Sequence, residues 1–209
     1  MLFRSINLYK LHSKPKTLFG YDHVMQVPEM AWEMTDNKQK DKLKSVWIKD
    51  PQYAYRYARM KNTTWPEAEP VIAQDAKYAY LYADYLLRSR FPAGEAAIAR
   101  DPDTSLAYAQ IIIKGPWKLG EPAIAKKADN SYKYARFVLK KRWPPGEASI
   151  VRDPIIAAYY AEDIIQGRFP LAEPGISRNR VAARYYADRV LNDPNPETWA
   201  KRYLEKQRS

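Results

Sequence analysis

The chain reads as an all-α protein, a small right-handed α-solenoid of about six 26-residue two-helix repeats with N- and C-terminal caps. Three observations predict this. First, columns of residues return in step. An aromatic stands at Trp65, Phe91, Trp117, Trp143 and Phe169, a glutamate four places later at Glu69, Glu95, Glu121, Glu147 and Glu173, and an isoleucine three beyond that, from Ile72 to Ile176. The pair Tyr-Ala recurs at Tyr57-Ala58, Tyr82-Ala83, Tyr108-Ala109, Tyr134-Ala135, Tyr160-Ala161 and Tyr186-Ala187. A fixed period of this size marks an array of supersecondary units, each burying its apolar face on its neighbours. Second, Asp50, Asp75, Asp101 and Asp153 stand where helix N-caps belong, and Pro51, Pro102 and Pro154 follow at the position that tolerates a missing N–H. Third, Ala79, Tyr82, Ala83, Leu86 and Leu87 fall on one stripe of an α-helix, as do Ser131, Tyr134, Ala135, Val138 and Leu139.

Taken in order, residues 1–27 lack the repeat and read as an N-terminal cap, punctuated by Pro15 and Gly20, that covers the open face of the first unit. Residues 28–190 form the repeat domain. Its opening VPEMAWEM is a worn copy of the Tyr-Ala helix with Trp32 in place of a tyrosine, and a basic run, Lys38, Lys40, Lys42 and Lys44, leads to Trp47. In each regular unit the long helix starts at the aspartate. The proline after the aromatic, at Pro66, Pro92, Pro144 and Pro170, then opens a second helix of about eight residues. At Lys127 and Asn179 the Asp-Pro start signal is missing. Asn195 occupies the aromatic position of the last unit, so residues 191–209 read as a C-terminal cap with an exposed basic tail, KRYLEKQRS.

Composition bounds the function. The 209 residues include no cysteine, which excludes disulfides and thiolate chemistry, and an unbroken register argues for one continuous body. Arg4, Asn7 and Lys10 interrupt the N-terminal apolar residues, and no later stretch has the length of a membrane span, so a cytoplasmic protein is expected. The net charge of +11 makes anionic partners worth considering, nucleic acid, an acidic protein or anionic lipid, without choosing among them; the expected partner is a protein or nucleic acid with an acidic surface, and no membrane.

The glutamate column invites a metal or an acid–base pair, but its members lie one per repeat, too far apart for a shared ion. They read instead as first-turn carboxylates that accept from a buried tyrosine or pair with an arginine. The Tyr-Ala column resembles a base-stacking platform, but its helical spacing with Ala and Leu assigns it to the core. Tyr55, Tyr80 and Tyr132, two residues earlier, are expected on a freer side and available to a partner. His12 and His23 lack a metal-ligand spacing. There is no nucleophile elbow and no phosphate loop, so the chain is expected to be non-enzymatic, with no cofactor, metal or small-molecule substrate. Positive charge concentrates around KYARFVLKKR. The candidate binding residues are Lys126, Lys127, Tyr132, Lys133, Arg136, Lys140, Lys141 and Arg142, either a solvated outer face or a track for phosphates or an acidic partner.

The segments LHSKPKTLFGYD, VPEMAWEM, DPQYAYRYA and TWPEAEPVIAQD resemble the tandem-repeat proteins of tailed bacteriophages and some bacteria, whose fold is similar to short HEAT-like solenoids. The resemblance implies a binding module that docks on a host or phage macromolecule in the host cytoplasm, including as an inhibitor of a host system. Direct nucleic-acid binding along the basic face is the alternative, and a structural virion component the third reading.

Overall fold

The computed structural model describes residues 32–33 and 35–208; the expected cap at 1–27, with His12 and His23, lies outside them. All regular structure among the described residues is helical. The described residues fall into two compact units, one on each side of the boundary between Ile98 and Ala99, called here 1–98 and 99–209. In the first are α1 (Asn37–Trp47), α2 (Pro51–Lys61), α3 (Glu69–Ile72), α4 (Ala76–Tyr82) and α5 (Pro92–Ile98). The second holds α6 (Pro102–Ala107), α7 (Glu121–Ile124), α8 (Ala128–Lys133), α9 (Pro144–Ile150), α10 (Pro154–Tyr160), α11 (Glu173–Ile176), α12 (Arg180–Arg189) and α13 (Pro196–Lys206).

The start signals work as read. Asp50 accepts from the amides of Gln52 and Tyr53, Asp75 from Tyr78, Asp101 from Thr104, and Asp153 from Ile155 and Ile156. Each such cap is typically worth about 1 kcal/mol. Asn179 replaces the aspartate without loss, accepting from Ala182. Lys127 offers no side-chain cap, and α8 starts there without one.

Four long helices are not α-helical throughout. Each gives way to a π turn, at Ala83–Leu87, Tyr108–Ile113, Tyr134–Leu139 and Ala161–Ile165. A π turn closes over five residues rather than four, so positions beyond it drift off the α stripe. Leu86, Leu87, Val138 and Leu139, expected in the core, are accordingly only half-buried. The π turns end in a left-handed residue, Arg88, Lys114, Lys140 or Gln166, with φ between 52° and 55°. There the chain reverses, and the carbonyl of Ala135 receives the amides of both Lys140 and Lys141. Ala109 and Ala161 are used in the same way, by Lys114 and Gly115 and by Gln166 and Gly167.

The second helix of each repeat comes in two lengths, shorter than expected. Where Glu-Pro occurs, α3, α7 and α11 span four residues and start at the glutamate. Where it does not, α5 and α9 start at Pro92 and Pro144 and span seven. A proline has no N–H for the i→i−4 bond and its ring crowds that carbonyl, so Pro70, Pro122 and Pro174 cannot sit inside a helix begun earlier.

The two columns the sequence brings forward, tyrosine and glutamate, join consecutive repeats. Within 99–209, the Tyr134 hydroxyl accepts from the Trp117 amide at 2.9 Å and donates to Glu121 at 3.0 Å. Tyr160 does the same with Trp143 and Glu147, and Tyr186 with Phe169 and Glu173. Within 1–98, Tyr82 serves Trp65 and Glu69. The tyrosine rings pack on the next aromatic, with centroids 4.8 Å apart for Tyr134–Trp143 and 5.2 Å for Tyr82–Phe91. Arginine completes the clip by bidentate pairing: Arg90 with Glu95, Arg142 with Glu147, and Arg168 with Glu173. Lys118 takes that role for Glu121.

Both ends of the described chain add detail to the reading. Trp47 is fully buried and stands where Ile72 stands 25 residues on, each carbonyl accepting from the aspartate that caps the following helix. Leu43 likewise fills the site of Ala68. Helix α1 is therefore a lengthened second helix, and the repeat register extends into the basic run. At the other end, KRYLEK forms the last turns of α13, with its charged residues exposed. Trp199, buried on that helix, stacks on Tyr186 at 5.4 Å and supplies the aromatic that Asn195 lacks.

Candidate partner-binding surface

The eight candidate residues do not form one uniform basic face. Three remain exposed cations with no ion pair among the described residues: Lys126 at the end of α7, and Lys140 and Lys141 at the reversal after the π turn. Four others are held by carboxylates. Lys127 reaches Asp103 at 2.6 Å, and Lys133 pairs with Asp129 one turn back on α8. Arg136 bonds Asp163 at 2.7 Å and the Tyr132 hydroxyl, while Arg142 clamps Glu147.

Tyr132 is a correction. Expected to face a partner, it is 8% exposed, and its hydroxyl donates to Asp163. Burial, and then the bond to Asp163, push its pKa up to about 12. The column two residues before the core tyrosine lies on the flank of the long helix, where the next long helix packs. Tyr132 meets Tyr159 with centroids 6.5 Å apart, Tyr159 meets Tyr185 at 4.9 Å, and in the other unit Tyr55, also buried, meets Tyr78 at 5.8 Å. Tyr80 is half-buried and donates to Asp84.

These bonds run between neighbouring repeats. Asp103 also accepts from Asn130, and the hydrogen bonds from Lys127 and Asn130 hold its carboxyl below the usual range. Glu162 accepts from Tyr185 and Arg189. Carboxylates at Asp103, Asp129, Glu162 and Asp163 are thus set among the cations, and the surface alternates in sign. Sequence inspection missed these partners because Arg136 and Asp163 lie 27 positions apart, with no local pattern between them.

Side chains that the sequence reading left aside complete the surface. Lys114 is exposed, occupies the same left-handed position as Lys140, and makes no ion pair among the described residues. Phe137, 55% exposed, is covered on one side by the Arg136 guanidinium, 5.3 Å from its ring centroid. The signal for Lys114 was present in the 26-residue column Arg88, Lys114, Lys140.

No group of three or more His, Cys, Asp or Glu side chains placed to hold a metal ion occurs among the described residues, and no helix among them is long and apolar enough to cross a membrane. The chain matches no family model, no curated protein and no solved structure.

Proposed function

We propose that the chain is a non-enzymatic α-solenoid of about six 26-residue repeats that docks a macromolecule bearing an acidic surface. Its place of action is the cytoplasm, of a host cell if the protein is phage-encoded as the sequence resemblance implies. The observation that carries this reading is the division of its cations. Arginines such as Arg142 and Arg168 are consumed by the clips, whereas Lys126, Lys140 and Lys141 stay exposed just past helix ends with no ion pair among the described residues. Lys126 follows the end of α7, and Lys140 and Lys141 follow the end of the long helix 128–139; helix C-termini favour a cation at both places, and what supports a docking role is that no carboxylate among the described residues pairs with these three. Exposed, unpaired positive charge speeds encounter with an oppositely charged surface.

An acidic protein is favoured over nucleic acid by the carboxylates interspersed on the same surface, since a continuous phosphate chain would run over them. Fluorescence-anisotropy titrations with poly-L-glutamate and with a duplex of roughly 20 base pairs, across a salt series, separate the two. The triple variant of Lys126, Lys140 and Lys141 to Ala is expected to lose poly-L-glutamate binding. Unchanged binding by that variant, or binding of neither probe by the parent protein, would overturn the proposal; tight, steeply salt-dependent duplex binding would move it to nucleic acid.

A further inference from the structure

Unit 99–209 carries a groove between the long helices 102–113 and 128–139. Two adjoining hollows of about 380 and 480 Å³ make it up, and both are lined by Gln110 and Phe137. Lys114 and Lys140 border one hollow; Asp103, Asp129 and Lys133 border the other.

We infer that this groove docks an extended acidic peptide segment of a protein partner, with an apolar side chain of the peptide on Phe137 and its carboxylates at Lys114 and Lys140. The inference rests on the acidic-partner reading above and names the partner's form. Four features of the groove carry it. Lys114 and Lys140 are exposed and make no ion pair among the described residues, so two positive groups at one end await an anion. The Gln110 carboxamide is half-buried in the wall common to both hollows and makes no hydrogen bond among the described residues. A carboxamide offers a donor and an acceptor together, which match a peptide main chain, whereas a phosphodiester supplies acceptors alone. Phe137 is an aromatic anchor with more than half its surface open, and Arg136 fixes its ring. At the far end Asp103 and Asp129 are taken up by Lys127 and Lys133, so that end offers no free cation and suits the uncharged part of a short segment whose acids lie at the lysine end.

The test is selection from a random-peptide display library with the full chain as bait, followed by affinities of the enriched peptides for the parent protein and for Phe137→Ser and Lys114→Glu. Both substitutions are at exposed positions and leave Lys126, Lys140 and Lys141 in place; circular dichroism confirms the fold of each. Enriched peptides are expected to carry Asp or Glu within a few positions of Leu, Ile or Phe, and to lose about tenfold or more in affinity for either variant. Failure to enrich, enrichment without that pairing, or affinities unchanged in both variants would overturn the groove assignment. So would displacement of the peptide by duplex DNA whose own binding falls with Phe137→Ser. If groove variants bind peptide normally while the triple lysine variant still loses poly-L-glutamate, the groove inference fails alone and the acidic-partner reading stands.

Discussion

Tyr134 has a fully buried ring and a hydroxyl that accepts from Trp117 and donates to Glu121, so its two contributions separate by mutation. Tyr134→Phe keeps the ring but strands a buried amide and a carboxylate, which should cost about 1–3 kcal/mol. Tyr134→Ala also empties the space against Trp143 and should cost roughly 3–5 kcal/mol. Denaturant unfolding of both variants checks the order. A Phe variant as stable as the parent would show that the hydroxyl bridge contributes nothing. This bridge was legible in the sequence, because a glutamate and a tyrosine held the same spacing in copy after copy. Tyr132 was not, because its fate depends on Tyr159 and Asp163, which only the packing of the next helix brings near.

At the scale of the element, a glycine lets the aromatic ring lie directly against the second helix in three of the repeats. A Cβ added at Gly146 would meet the Trp143 ring at 2.5 Å and the Ser131 Cβ at 2.8 Å, while one added at Gly167 would meet nothing within 4 Å. Helix propensity alone would make Gly146→Ala stabilising by about 1 kcal/mol. Overpacking opposes it by about 1–3 kcal/mol, and both clashing groups belong to packed elements, so a net loss is expected. Gly167→Ala should be neutral or slightly stabilising. Thermal melts of the pair test this, and equal midpoints would mean that the ring moves aside freely. The π turns are the part of the element that sequence inspection could not supply. Arg88, Lys114, Lys140 and Gln166 carry no glycine or asparagine to announce a left-handed residue, and the apolar spacing before them fits an unbroken α-helix. The α1 repeat was hidden for a related reason: it has no aromatic in the column that sets the register, and a tryptophan stands in for isoleucine.

For the molecule as a whole, the hydrogen-bonded tyrosines link stability to alkaline pH. Burial, and then hydrogen bonding to acidic side chains, push Tyr132 and Tyr185 up to about 12. Burial also leads for Tyr134 and Tyr160, at about 12, outweighing their bonds to the Trp117 and Trp143 amides, which act downward. Free tyrosine ionises near 10, so between about 10 and 12 the unfolded chain holds fewer protons than the folded one and stability falls as pH rises. Tyrosinate absorbance and helical ellipticity should therefore change together in that window. Early tyrosinate formation from these four residues with helix content intact would contradict their burial.

The division of cations into framework and free groups is the claim on which the proposed function stands, and a crossover of two variants tests it most directly. One variant replaces the paired set Lys127, Lys133, Arg136 and Arg142 with Ala, and the other replaces the free set Lys126, Lys140 and Lys141. Both are measured for melting temperature and for poly-L-glutamate affinity at the same salt. The paired set should lower the melting temperature, chiefly because Glu147 loses its bidentate partner, while binding persists; the free set should leave the melting temperature in place and weaken binding by about tenfold or more. If the paired set abolishes binding and the free set does not, the surface has been assigned the wrong way round.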